Sequence, residues 1–516
     1  MNRTLRVRLI GMDGEPVAEE SLKSLYAGDL HFEPLRRRSQ ISQDGTVEIE
    51  VSSGPTALYA WMAVPDFGEL WMRADNCGEG YRAGAGLLDF VREAATSRLA
   101  EVRRFMEGAE TAWSVDCRAH VEAAIECLAE AGDASDALAA MLRLLSLSHA
   151  LWAGELAVVE HARGQIAARP TRADFLFGTT AFGRSFGTRA RGGRERAEAI
   201  QRRFTELFNF GTLPFYLKAL EPEEGKPDYS NVDEMLAWCK REGIATKGHP
   251  LWWGHPAGIP AWLEGADWPT IQRQCRRVVH RSVERYRDRI GIWDAINEAH
   301  DWANGLGLTQ EQEVEITRVA CNSIRDADPR ATVVVNHCQV DGAYAAEEGS
   351  WEGSMRMGPI YDLTLTPLSY LDRLMEAGVD FDVVGLQMYF PSNIGRDMMT
   401  IGRYMDEYAR FGKPMHITEL GLPSGKRDMP GDLKGDEMMR RVRGEWHQPW
   451  CERVQADWAE WFYTLCYARP DVEAITWWNL SDPAFIPGSG WLREDGTPKE
   501  SYNRVRALLR AWGRAR

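Results

Sequence analysis

The chain has 516 residues, 44% of them hydrophobic and 27% charged, with a formal net charge of −15. A chain this long buries a core without a metal or disulfide staple, and its acidity argues against a nucleic-acid partner. Nine cysteines without a CxxC pair, several inside apparent helices or strands (Cys239, Cys321, Cys466), read as reduced thiols rather than a disulfide framework.

The N-terminus, "MNRTLRVRLIGMDGEPV", lacks the apolar stretch of a secretory signal. The expectation is a cytoplasmic chain or a truncated secreted one. No unbroken apolar run reaches the roughly 18 residues of a membrane span, so no membrane partner is expected. Protein partners are not legible.

Residues 1–87 read as a β-rich region. "LRVRLIG", "TVEIEVSSG", "TALYAWMAV" and "GELWMRAD" alternate or are rich in β-branched and aromatic residues, with Gly, Pro and Asp between them. This region is either a carbohydrate-binding module with Trp61 or Trp71 as a stacking platform, or a structural cap, and the cap is favoured. From 88 to 169 apolar residues recur at helical spacing, with Ser135 and Asp136 as candidate caps, and the stretch reads as a helical connector.

From 170 to 516 short apolar runs alternate with amphipathic helices. The strands are "FLFGTTAF", "LFNFGTL", "ATKGHPLWW", "GIWDAINEA", "TVVVNHC", "FDVVGLQMYF", "PMHITELGLP" and "VEAITWWNLSD". Eight strands, each followed by a helical pattern, predict an α/β fold, a (β/α)8 barrel, with the N-terminal β domain and connector ahead of it. An open doubly wound sheet would want GxGxxG after the first strand, and the glycines of "FGTTAFGRSFG" lack that spacing.

Barrel chemistry sits at the C-terminal ends of the strands. Strand two leads to Lys218, strand three to His249 and Trp253, and strand four to Asn297 and Glu298. Strand six ends in Gln387 and Tyr389, strand seven in Glu419, and strand eight in Trp477, Trp478 and Asp482. An Asn-Glu pair at a strand end more often caps a helix than catalyses. Two carboxylates in one Trp-walled cavity, however, are what glycoside hydrolysis requires. "GHPLWWGH" holds two histidines but no third ligand at metal spacing, so no metal and no cofactor are expected. Asp294 reads as structural.

These residues resemble glycoside hydrolase family 10, the endo-β-1,4-xylanases, over roughly residues 170–516. "WDAINEA" resembles the family's acid/base signature and "HITELGLP" its nucleophile strand. "TKGHPLWWGHPAGIPAWL", "VVGLQMYF" and "ITWWNLSDP" resemble its third, sixth and eighth strands. The resemblance implies a retaining hydrolase of β-1,4-xylosidic bonds in xylan or a related plant polysaccharide. It makes Glu298 the acid/base and Glu419 the nucleophile, with Asn297 on the sugar 2-hydroxyl. Lys218, His249, Trp253, Gln387, Tyr389 and Trp478 hold the sugar or support the pair. The acid should carry a raised pKa and the nucleophile stay ionised. Two other readings stay open: a retaining β-glycosidase of the same clan acting on a non-xylan substrate, and a non-catalytic carbohydrate-binding barrel.

The departures cluster on one side. "TLPFYLK" puts Pro214 and Phe215 where the family binds the next sugar outward with Glu and Asn. Gly254 and Tyr389 each stand in place of a His. In the eighth-strand loop only Phe485 or Trp491 is available where a second Trp is usual.

Overall fold

The computed structural model describes residues 4–35, 39–51, 54–133, 136–180, 193–300, 303–346, 365–389, 397–425 and 445–514. Seven short strands open the chain. β1 (Thr4–Arg8), β3 (Ser39–Ile41), β4 (Thr46–Glu50) and β7 (Leu87–Asp89) form one sheet in the order β3-β4-β1-β7. β2 (Tyr26–Gly28), β5 (Ala57–Val64) and β6 (Gly68–Ala74) form a second, with helix α1 (Glu19–Lys23) before it. The strict alternation of "TLRVR" buries Leu5 and Val7 and exposes the charges between them.

Three helices come next: α2 (Phe90–Gly108), α3 (Val115–Asp133) and α4 (Asp136–Ala167). Asp89, the last residue of β7, caps α2 by accepting from the Arg92 N–H at 3.0 Å. The expected boundary at 87 therefore falls inside a structural junction. Asp136 opens α4, while Ser135 lies outside the described residues. Among the described residues α4 is the one helix long and apolar enough to cross a membrane, and 61% of that stretch is buried inside the protein. Its apolar residues are spread around the helix rather than run together, so no unbroken stretch marked it in the sequence.

The barrel strands are β8 (Leu176–Thr179), β9 (Phe210–Pro214), β10 (Ala245–His249), β11 (Ile292–Asn297), β12 (Thr332–His337), β13 (Val383–Tyr389), β14 (Met415–Gly421) and, after a short hairpin β15–β16 (Glu445–Trp446 and Gln448–Pro449), β17 (Val472–Trp477). All eight pair in parallel and close on themselves, β17 against β8. Every predicted barrel strand is present. β-branched runs such as "TVVV" are buried on both faces, as a parallel sheet under helices demands.

One apolar core joins these parts, from Leu5 and Val47 through Leu147 and Leu151 of α4 to Val333 and Ile475. α4 packs on β5 and on the barrel helices Met398–Ala409 and Glu452–Ala468. Trp71 is 6% exposed and meets Tyr26 and Trp61 edge-on, so it presents no open platform for a sugar. Polar anchors fix the joint. Arg98 of α2 reaches Asp397 at 2.6 Å, with the two side chains 6% and 0% exposed, and also donates to Thr400. Asp397 caps the helix Met398–Ala409. Glu155 of α4, wholly buried, accepts from the Met398 N–H, the Trp446 indole and the His447 ring at 2.6–2.9 Å.

Arg98→Met would strand the Asp397 carboxylate without its cation. The expected loss is about 3–5 kcal/mol of stability in urea unfolding at neutral pH. A loss below about 1 kcal/mol would show that this pair does not hold the joint.

Candidate active site

Both glutamates stand where a parallel ladder slips. The β11–β12 pairing runs from Asp294↔Val334 to Ile296↔Val335, leaving Ala295 extra on β11. The β13–β14 pairing runs from Leu386↔Ile417 to Gln387↔Glu419, leaving Thr418 extra on β14. Each bulge lies just ahead of a glutamate and re-aims the side chains beyond it. Glu298 itself has φ +57, left-handed backbone that a non-glycine residue adopts only when its surroundings impose it. Its N–H is held by the Asn336 carbonyl at 2.9 Å.

The two side chains meet in one buried network. Glu298 is 8% exposed and Glu419 6%. Glu298 accepts from the Trp253 indole at 2.9 Å and from Gln387 Nε2 at 2.8 Å. Glu419 accepts from the Tyr389 hydroxyl at 2.7 Å and from Asn336 Nδ2 at 3.2 Å. Asn297 Oδ1 links the halves, accepting from Asn336 Nδ2 at 2.6 Å and Gln387 Nε2 at 3.2 Å. Asn336, at the end of β12, went unread in the sequence although the strand-end rule pointed to it. Its own Oδ1 accepts from the Thr418 hydroxyl. Gly385 leaves it room, since a Cβ there would lie 2.7 Å from Asn336 Oδ1.

Beneath the pair lies a charged floor. Asp294, which the sequence presented as merely structural, takes Lys247 Nζ at 2.8 Å and His249 Nδ1 at 2.6 Å on one oxygen, all three side chains being essentially unexposed. Burial pushes the Asp294 carboxyl up, but Lys247 and His249 outweigh it and hold it below its ordinary value. An ionised Asp294 only accepts, so His249 Nδ1 donates to it. Burial keeps the His249 ring below its ordinary pKa despite Asp294, hence neutral. Its Nε2 is then an acceptor, 3.6 Å from Glu419 Oε1. Trp478 sets its ring edge-on to His249 at 5.2 Å.

Seven of the nine expected site residues thus share one network, and Trp478 adjoins it through His249. Lys218 does not. It is exposed on the short helix Leu217–Leu220, with its ammonium on the Pro256 carbonyl at 2.8 Å, and Lys247 is the cation under the pair. Phe215 is 1% exposed and packs against Trp293 and Tyr286, so its ring belongs to the core. Tyr216, the next residue, turns to the pocket instead. Trp491 is wholly buried against Trp477, and Phe485 adjoins Tyr389 at 5.3 Å. Gly254 excludes a histidine here, because a Cβ would meet the Ala303 carbonyl at 2.6 Å.

The acid–base balance departs from expectation. Burial first, and then the charge of Glu298, push Glu419 to about 8 against the opposing Tyr389 hydrogen bond and Lys247. Lys247 is engaged by Asp294 and leaves the deeper carboxyl under-compensated. The proton belongs to the pair. A carboxyl raised in the folded state stabilises the fold below its unfolded pKa near 4.5, and that contribution is lost as pH rises through about 8. Glu419→Gln should therefore flatten the fall in Tm between pH 5 and 9. At pH 9 it should be more stable than wild type by more than about 1.4 kcal/mol, the worth of one pKa unit. Parallel Tm profiles for the two proteins would contradict the raised carboxyl.

The family model for glycosyl hydrolase family 10 matches residues 178–503, well over half of the chain. Endo-1,4-beta-xylanase B of Thermotoga neapolitana is 22% identical over 311 residues, which is 56% of this chain and 77% of that one. Endo-1,4-beta-xylanase 2 of Arabidopsis thaliana is 23% identical over 44% of this chain, which spans only 20% of its length. Native xylanase 10B from Thermotoga maritima superposes with a TM-score of 0.48 at 19% identity, over 68% of this chain and 97% of that one. The matched stretch carries the closed barrel and both glutamates, and the chain belongs to glycosyl hydrolase family 10, as a retaining glycoside hydrolase.

Proposed function

We propose that the chain cleaves β-1,4-xylosidic bonds of xylan or a related plant polysaccharide, with Glu298 as acid/base and Glu419 as nucleophile. The observation that carries this reading is the shared network of two buried, strand-end glutamates, each held by two side-chain donors. Glu298 gives its proton to the glycosidic oxygen while a Glu419 oxygen bonds to the anomeric carbon. The bond to the leaving sugar breaks, and its oxygen departs as an alcohol. Glu298, now a carboxylate, takes a proton from water, whose oxygen bonds to the anomeric carbon and releases Glu419. Two inversions give retention.

One proton on the pair is what the first step consumes: burial and the Glu298 charge raise Glu419 to about 8, so the pair keeps one proton at neutral pH, and the step runs from the form that carries it on Glu298 with Glu419 ionised. Negative charge leaves Glu419 as the glycosyl ester forms, which lowers the cost of the Glu298 carboxylate. The fixed donors cost no reorganisation when charge moves. His249 Nε2 is an acceptor suited to a sugar hydroxyl, with Trp478 beside it.

The second reading, a non-xylan or decorated β-glycoside, is favoured by the strand-two exit. Pro214 offers no side-chain hydrogen bond and Phe215 is locked in the core. A second sugar outward gains neither polar contacts nor stacking from them, and remote binding energy of that kind drives the reacting centre. On unsubstituted xylo-oligosaccharides of rising length, kcat/KM should rise less than about tenfold when the second non-reducing-side xylose is added, the worth of one neutral hydrogen bond. A steep rise would show that this outer position binds xylose well. A steep rise on a different oligosaccharide would name the substrate.

A further inference from the structure

The residue after Phe215 faces the other way. Pro214 pairs with His249 across β9–β10, and the Phe215 N–H donates to the His249 carbonyl at 2.6 Å. Tyr216 then caps the short helix, its carbonyl accepting from the Ala219 and Leu220 N–H groups. The backbone is pinned on both sides, and the ring has one place to go. It stands edge-on to His249 at 5.5 Å and to Trp253 at 5.8 Å. Those two residues adjoin the catalytic pair from opposite sides. Trp253 donates to Glu298, and His249 Nε2 lies 3.6 Å from Glu419.

The Tyr216 hydroxyl makes no hydrogen bond among the described residues, whereas the Tyr389 hydroxyl is bonded to Glu419. Burial, and then the charges of Glu419, Glu298 and Asp294, hold the Tyr216 phenol well above its ordinary pKa, so it is neutral and donates. Tyr216 is only partly buried and no described side chain or carbonyl takes its hydroxyl proton, so a ligand hydroxyl can accept it without displacing a protein partner. Such a group also discriminates strongly against a ligand that lacks the hydroxyl.

We propose that Tyr216 is a specificity-determining residue, whose hydroxyl bonds one ring hydroxyl of the pyranose bound between Glu298 and Glu419. This rests on the reading that a sugar occupies that position. The ring closes the strand-two side of the pocket, and the hydroxyl selects the sugar.

The test pairs Tyr216→Phe, which keeps the ring, with aryl β-xylosides carrying the full set of hydroxyls or lacking the 2-, 3- or 4-hydroxyl. On the parent substrate the variant should lose about three- to tenfold in kcat/KM, through a raised KM with kcat retained. On one of the three deoxy substrates that loss should vanish, because the partner hydroxyl is already gone. On the other two it should persist. The same loss on all four substrates, or none on the parent, overturns the assignment of Tyr216 alone. Absence of wild-type turnover on both aryl β-xylosides and aryl β-glucosides overturns the substrate reading and this assignment together.

Discussion

Two carboxyl groups buried in one pocket repel each other and resent the loss of water, and the rest of the barrel top is organised around that constraint. Among the described residues four side-chain donors converge on the pair: the Trp253 indole and Gln387 on Glu298, the Tyr389 hydroxyl and Asn336 on Glu419. Each bond to an ionised group is worth about 1.5–3 kcal/mol. Asn336 and Gln387 also donate to the Asn297 amide oxygen, so the two amide donors are tied to each other through Asn297. The Lys247 charge is committed to Asp294, which turns a potential counter-ion into an orienter for His249. The result is a pair that keeps a proton near neutrality, the proton that the proposed first step would spend on the leaving group.

The same logic operates at the edge of the barrel. Asp397 and Glu155 are wholly buried carboxylates, and each meets partners from across the joint between the N-terminal elements and the barrel. Both act at the start of the helix Met398–Ala409, which comes after the strand bearing Gln387 and Tyr389. Glu155 also grips the hairpin after the Glu419 strand through Trp446 and His447. The helical connector is thereby fastened to the elements that follow the strands bearing Gln387, Tyr389 and Glu419. A flexible tether to a separate binding module would leave no such buried ion pairs.

The barrel was legible because its strands are short β-branched runs between amphipathic helices, and strand ends then pointed to the residues of the buried network. Glu298, Glu419, Asn297, Gln387, Tyr389, His249 and Trp253 could be read that way. Asn336 obeys the same rule and was passed over, since its strand ends in His and Cys without a carboxylate to draw notice. Asp294 and Lys247 sit earlier on their strands, where a buried charge looks like a structural ion pair. Their role depends on which face each points to, and the bulge at Ala295 shifts that parity. Phe215, Tyr216 and Lys218 show the same limit. At the exit of β9 one residue of register decides whether a side chain enters the core, the pocket or solvent, and periodicity cannot fix it. Trp71, offered by the sequence as one of two stacking platforms under the less favoured reading of the N-terminal region, is covered, and composition marks an aromatic ring without showing which side of a sheet covers it.

The central claim is that Glu419 bonds to the sugar while Glu298 handles the proton. The direct measurement is to incubate the enzyme with an activated 2-deoxy-2-fluoro aryl β-xyloside, whose glycosyl-enzyme hydrolyses slowly, and to map the labelled peptide by mass spectrometry. The account predicts one sugar per chain, esterified to Glu419, released on adding an acceptor, and absent from Glu419→Gln. A label on Glu298, or on any other carboxylate, would contradict it.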